Sequence, residues 1–379
     1  MGEQRSARID LLRGIAVLVV LLLHYSLTYR LPDSLLGDLV GPKTIARTVM
    51  NGNYGVTIFF TISGFLITSN SLRRYGSLDR VDIRAFYLMR AARILPPLLL
   101  ALAAILAFGL LGLPSFVNRI QGEVLAPSTV GIAIGSVLTF WHNVLMQRLG
   151  YFNYSLNIYW SLSVEEVFYL AFPWVCLVFK RWWICLPIAF LLVAGPLYRV
   201  HHWDNELYYM YGYLACSDSI AIGCLAAILA PHMLKAPGWT RIITVAAALL
   251  LASVYWTGIN ASAALGFTGI SLATALLLIS AEPLTRNTAR TGITRTLNTP
   301  LVGLRWMGQR SYELYLFHII VLGLMRDAVP RGVLDRAYKL PWLLAFLVLS
   351  ALVATIIERY LSTPINRWIR TRYISSATR

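Results

Sequence analysis

Charge is what this 379-residue chain has least of: Asp, Glu, Lys and Arg make up 13% of it, about half of the roughly 25% usual in soluble domains. With 58% hydrophobic residues, that scarcity excludes an ordinary water-soluble globule and points to helices facing lipid. Acidic residues are the scarcer sign, 17 against 33 Lys and Arg, for a net charge of +16. A nucleic-acid-binding face would spread such an excess over a solvated surface. Here the cations sit between apolar runs, as in loops beside an anionic membrane surface. Membrane lipids are the expected surroundings, and no nucleic-acid partner is expected.

Cysteine is also scarce. Cys176, Cys185, Cys216 and Cys224 lie in or beside apolar stretches without metal-ligand spacing. They read as small packing residues, so neither a disulfide framework nor a metal centre is expected. The sequence has no GxxxxGK[ST], GxSxG, HExxH or CxxC pattern, which leaves ATP hydrolysis and metal-dependent hydrolysis without support. No linker, low-complexity tract or internal repeat is visible, so the inverted halves of many secondary transporters are not supported.

Long apolar runs are what the chain does have. They predict spans near 9–29, 54–72, 94–113, 163–179, 182–198, 209–230, 242–258, 262–280, 308–325 and 341–361. The shorter run 128–141 suits a re-entrant or interfacial segment better than a crossing. A basic lead (Arg5, Arg8) precedes the first run, but no small-residue cleavage site follows, so the expectation is an uncleaved first span.

Loop charge then orients the chain. Arg73, Arg74, Arg80, Arg84, Arg90 and Arg93 place the loop 73–93 inside. The loop 283–306, the pair Lys180-Arg181, Lys235 with Arg241, and the C-terminal arginines follow it. The loop 326–340 falls outside, its three arginines and Lys339 partly offset by Asp327 and Asp335. The expected architecture is an all-α, polytopic membrane bundle of about ten transmembrane helices plus one short re-entrant or interfacial helix. It forms one membrane domain over 1–379, with 363–379 a short basic tail and both termini cytoplasmic, in the inner (plasma) membrane.

Polar residues inside such spans are costly and usually serve a site. The first span carries Arg13 and, eleven residues further on, His24, which puts them roughly 16 Å apart along a helix. Histidine titrates near working pH and is the commonest general base. Arg90 and Arg93 share a helix face, and arginine forks bind phosphate with paired hydrogen bonds. In Tyr159-Trp160-Ser161-Leu162-Ser163-Val164-Glu165-Glu166, Ser161 or Ser163 reads as a helix cap. Two adjacent glutamates entering a membrane helix require a partner for at least one of them. Asp218, His318, Glu313 and Glu358 are weaker signals, for which an interhelical hydrogen bond serves as well as catalysis. His142, His201, His202 and His232 flank spans and read as interfacial. On these residues alone, a proton-coupled transporter or permease for a sugar or lipid remains as open as an enzyme.

Several motifs together resemble a known family. Arg13-x10-His24, Gly55-Val-Thr-Ile-Phe-Phe-Thr-Ile-Ser63-Gly64-Phe65-Leu-Ile-Thr68, Arg90-x-x-Arg93 and Trp160-Ser-Leu-Ser-Val-Glu165-Glu166-x-Phe-Tyr resemble the acyltransferase-3 family of integral membrane acyltransferases. Ser311-Tyr-x-x-Tyr-x-x-His318 and Glu358 to Pro364 resemble its C-terminal signatures. The likeness runs from about residue 8 to 366.

The resemblance implies transfer of an acyl group, usually acetyl from cytoplasmic acetyl-CoA. The acceptor would be a hydroxyl on an envelope glycan, a lipid-linked sugar or a secreted small molecule. It implies that His24 is essential and that Arg13, Arg90 and Arg93 serve the acyl-CoA, which is a substrate and not a bound cofactor. Glu165 or Glu166 is expected to orient the His24 imidazole, and Ser63-Gly64 to permit close approach of backbone or ligand. Relatives often carry an arginine just before the aspartate at position 218, where this chain has Cys216-Ser217. Some also carry a C-terminal esterase-like domain; a stand-alone member is expected here.

Overall fold

The computed structural model describes residues 6–120, 122–126, 128–232, 237–262, 264–280 and 301–373. Among them the chain is helical apart from short connections and one hairpin, Arg119–Ile120 paired antiparallel with Glu123–Val124. In chain order the main helices are α1 Ala7–Tyr29, α2 Asn53–Tyr75, α3 Ile83–Leu110, α4 Ser128–Leu138, α5 His142–Leu149, α6 Trp160–Val178 and α7 Cys185–His201. There follow α8 Ser217–Leu229, α9 Pro237–Thr257, α10 Leu265–Ile279, α11 Val302–Gln309, α12 Ser311–Ala328, α13 Lys339–Ile357 and α14 Thr363–Tyr373.

Each predicted span overlaps one of these helices, and among the described residues seven helical stretches are long and apolar enough to cross a membrane. The short run predicted at 128–141 is α4, an 11-residue helix. Most of the basic loop predicted at 283–306, together with Lys235 and Arg379, lies outside the described residues. The predicted run 209–230 differs most from expectation: its helix α8 has only 13 residues. A short helix Glu206–Tyr209 and a 3-10 turn Leu214–Cys216 precede it.

The chain folds into two compact units that interleave along the sequence. The first comprises residues 1–23, 47–80 and 178–311; the second comprises 24–46, 81–177 and 312–379. α1 contributes to both, its residues through Leu23 to the first and those from His24 to the second.

In the first unit α8 is buried on nearly every side, through Ile220, Ala221, Ile222, Cys224, Ala226 and Ala227. A helix apolar all round can only be stable when enclosed. It crosses α2 closely because both helices have a glycine at the crossing. A Cβ on Gly64 would lie 2.1 Å from the Ile220 carbonyl oxygen, and one on Gly223 2.1 Å from that of Thr61. Small residues permit such backbone approach between membrane helices. The opposite pattern marks the outside: Leu186, Phe190, Val193, Leu197 and Val200 of α7 are exposed at alternating steps of four and three. That spacing makes one apolar stripe, suited to lipid.

The second unit holds α3, α6, α12 and α13. Tyr312 donates to the Ile94 carbonyl (3.0 Å), and Tyr87 to that of Leu170 (2.6 Å), tying α12 and α6 to α3. α13 runs through a π-helical turn, Glu358–Ser362, into α14, the first part of the predicted tail. Pro364 lacks an N–H and crowds the preceding turn, which a widened turn relieves. The charges of the 326–340 loop find local partners. Arg336 reaches Asp38 at 2.5 Å, Lys339 donates to the carbonyls of Arg30 and Asp33, and Asp327 accepts from Ser115.

Candidate active site

α1 is one uninterrupted helix, so Arg13 and His24 lie on a single rod. Arg13, half-buried, belongs to the first unit and His24 to the second. The His24 ring meets His318 of α12: Nδ1 of His24 lies 3.3 Å from Nε2 of His318, with ring centroids 5.0 Å apart. His318 is fully buried, and its Nδ1 lies 3.0 Å from the Leu314 carbonyl and 2.8 Å from that of Tyr315. One turn beyond His24, Thr28 donates to the His24 carbonyl (2.9 Å) and meets the Tyr154 hydroxyl at 2.6 Å.

Tyr315 carries this cluster on to α6. Its hydroxyl lies 2.6 Å from Ser161 Oγ and donates to the Ile158 carbonyl at 2.8 Å. The expectation that Ser161 or Ser163 caps α6 is corrected here. The helix already begins at Trp160 after a 3-10 turn, Asn157–Tyr159. Ser161 donates back to Ile158 O (3.2 Å) and Ser163 to Tyr159 O (3.4 Å). Such back-bonding to the preceding turn is the usual alternative for serine inside a helix.

The two carboxylates of α6 gather with the arginines of α3. Arg90 stacks on the Tyr169 ring, 4.0 Å from its centroid, and Tyr169 donates its hydroxyl to Glu165. Glu166 is buried within electrostatic reach of Glu165, Arg90 and Arg93. Its Oε1 has no hydrogen-bond partner among the described residues. Arg93 is likewise in reach of Glu313, which also faces Ser362 and Glu358. The second unit thus brings together His24, His318, Tyr315 and Ser161 on one side, and Arg90, Tyr169, Glu165 and Glu166 on the other. Glu165 acts electrostatically on Tyr315 between them.

In the first unit, Ser63 is buried in α2 beside Gly64. The partner that Asp218 requires is Arg199, from the last turn of α7, which sequence reasoning passed over. Guanidinium and carboxylate meet in two contacts of 2.7 Å, both side chains fully buried. Thr268 donates to Asp218 Oδ2 at 2.6 Å. Arg199 also donates to the Ala264 carbonyl (2.8 Å) and to that of Ala215. The arginine that pairs with this aspartate is supplied by a different helix, α7. A lone cation in an apolar run was the available signal, since such a charge demands a counter-ion.

His142 is fully buried, and two serines receive it. Its Nδ1 lies 2.7 Å from Ser136 Oγ, and its backbone N–H donates to Ser163 Oγ at 3.1 Å. Burial pushes its imidazole down to about 4 from the ordinary 6.5. The unfolded chain therefore binds the extra proton first as pH falls, so the stabilisation is complete above 6.5 and is lost on descending towards 4. The loss should approach about 3 kcal/mol across that window. Melting curves at pH 7 and pH 5 should show it, and a His142→Gln variant should lose less between the two.

A family model described as "Acyltransferase domain" matches residues 6–359. The chain is similar to "O-acetyltransferase OatA" of Staphylococcus aureus (strain NCTC 8325 / PS 47), with 27% identity over 355 residues. That alignment covers 85% of this chain and 54% of that protein. It is also 23% identical over 379 residues to "Peptidoglycan O-acetyltransferase OatA" of Listeria monocytogenes serovar 1/2a (strain ATCC BAA-679 / EGD-e), covering 95% of this chain and 55% of that one. The chain thus spans about half the length of these curated relatives. No solved structure matches it.

Proposed function

The chain belongs to the acyltransferase-3 family of membrane acyltransferases, and on that premise we propose that it moves an acetyl group from cytoplasmic acetyl-CoA to a hydroxyl of a cell-envelope glycan. The observation that carries this reading is the buried cluster of the second unit. A histidine from α1 meets a second histidine, and an arginine–carboxylate group lies on the neighbouring helices. The names of the two relatives support the acetyl group, and that of the Listeria monocytogenes relative, a peptidoglycan O-acetyltransferase, supports a glycan acceptor. Family membership supports the enzyme over the transporter.

The chemistry follows from the residues. His24 takes the proton of the acceptor hydroxyl as that oxygen attacks the thioester carbonyl. The new C–O bond forms and the C–S bond breaks. The proton then passes from His24 to the departing thiolate, leaving the ester and free CoA. Enclosure by the bundle limits hydrolysis of the thioester. Arg90 and Arg93 supply fork donors for the CoA phosphates. Arg13 is assigned to the donor on the family resemblance alone.

Arg90→Ala should weaken acetyl-CoA binding by about 10- to 100-fold, the range for loss of a charge-assisted hydrogen bond. Unchanged KM for the donor would remove the phosphate-clamp role. The function itself is tested by mass spectrometry of envelope glycans from cells with and without the protein. O-acetyl groups should disappear with it; glycans unchanged in O-acetylation would contradict the proposal.

A further inference from the structure

We infer that His318 is a positioning residue that fixes the tautomer of His24, placing the proton on Nδ1 and the basic lone pair on Nε2. The assignment rests on the proposed acyl-transfer reading for its purpose and on geometry alone for its content. Both groups near His318 Nδ1, the carbonyls of Leu314 and Tyr315 at 3.0 and 2.8 Å, are pure acceptors. That nitrogen must therefore carry the ring proton. A neutral His318 then has its lone pair on Nε2, the atom that faces His24 Nδ1 at 3.3 Å. Two lone pairs cannot share that contact, so His24 Nδ1 supplies the hydrogen. The remaining nitrogen of neutral His24, Nε2, holds the lone pair.

The consequence is chemical. A histidine acting as base or nucleophile works through one nitrogen, and a hydrogen bond at the other decides which. In serine proteases a buried carboxylate holds the Nδ1–H tautomer, and its removal lowers kcat by about 10⁴-fold through the wrong tautomer. Here a neutral imidazole does the holding. It is itself held by two carbonyls of its own helix, so the orientation comes from the backbone of α12. Those carbonyls also suit His318 to share positive charge when His24 Nε2 accepts a proton, because they lie at the N–H that an imidazolium strengthens.

The test has two readouts. Solid-state NMR of the full-length protein in liposomes, with ring-15N histidine, resolves protonated from bare ring nitrogens. The His24 signals are identified by their absence in His24→Ala. At a pH where both rings are neutral, His24 should show a protonated Nδ1 and a bare Nε2, the reverse of the tautomer that free histidine favours. A protonated Nε2 on His24 overturns the inference, whether or not the protein transfers acetyl groups. Absence of transfer with this tautomer intact overturns only the proposed function.

The second readout is kinetic. His318→Gln keeps an amide oxygen that can accept from His24 Nδ1–H, whereas His318→Leu keeps none. His318→Leu should lower kcat at least 100-fold with the KM for acetyl-CoA within threefold, and His318→Gln should recover tenfold or more of that loss. Equal kcat in the two variants would show that His318 only fills space.

Discussion

His24→Ala is expected to remove acetyl transfer while leaving a folded, membrane-inserted protein. A general base contributes about 10²- to 10⁴-fold to a proton transfer, so residual activity should fall at least 100-fold. The structural cost is small by comparison. His24 is half-buried, and its ring contact to the second histidine is a single N–H···N bond of 3.3 Å. Loss of a typical bond costs about 0.5–1.5 kcal/mol. The thermal midpoint should move by a few degrees at most, whereas label transfer from acetyl-CoA should vanish. Full activity in this variant would sink the account, because the proposed step takes the acceptor's proton on His24.

Asp218→Ala should produce the largest loss of stability. Arg199 and Asp218 are both completely buried, and breaking such a pair from one side typically costs about 3–5 kcal/mol, because the surviving charge is stranded. The surroundings give little room for rescue. Among the described residues, the partners of Arg199 other than Asp218 are carbonyls, the Thr268 hydroxyl and the face of Phe267, none of which carries negative charge. Gly195 leaves space for the carboxylate: a Cβ there would lie 2.8 Å from Asp218 Oδ1.

Replacing both charges, Arg199→Met with Asp218→Val, should recover much of the loss, since apolar replacement of a buried pair is often close to neutral. Thermal unfolding of the detergent-purified variants, followed by size-exclusion chromatography, measures this. An Asp218→Ala protein as stable as the parent would show that the pair contributes nothing.

The helices were legible in the sequence because lipid imposes a simple rule: backbone polar groups must be satisfied within the segment, so apolar runs become helices. The boundaries of α1, α2 and α13 follow their runs within a few residues. α6 was misplaced at its start because Ser161 and Ser163 resemble caps, and nothing local reveals that Tyr315 and His142, far away in sequence, provide their partners. The interior of the expected run at 209–230 was misread for a related reason. Its aromatic and small residues form short turns before α8, and hydropathy does not distinguish a turn from a helix.

Candidate site residues were legible one at a time, as polar groups too costly to place in a membrane without purpose. Their pairings were not. His24 and His318 are separated by 294 positions and Arg199 and Asp218 by 19; only the packing of helices brings either pair together. The glutamates at 165 and 166 illustrate the difference. The sequence signalled that they need partners, and the fold surrounds them with Arg90, Arg93 and Tyr169.

The most direct measurement uses purified protein reconstituted in liposomes, supplied with radiolabelled acetyl-CoA and an isolated envelope glycan, with His24→Ala prepared in parallel. The account predicts acetyl label bound covalently to the glycan in the parent protein and at least 100-fold less in the variant. Equal labelling by the two proteins, or no labelling by either, would contradict it.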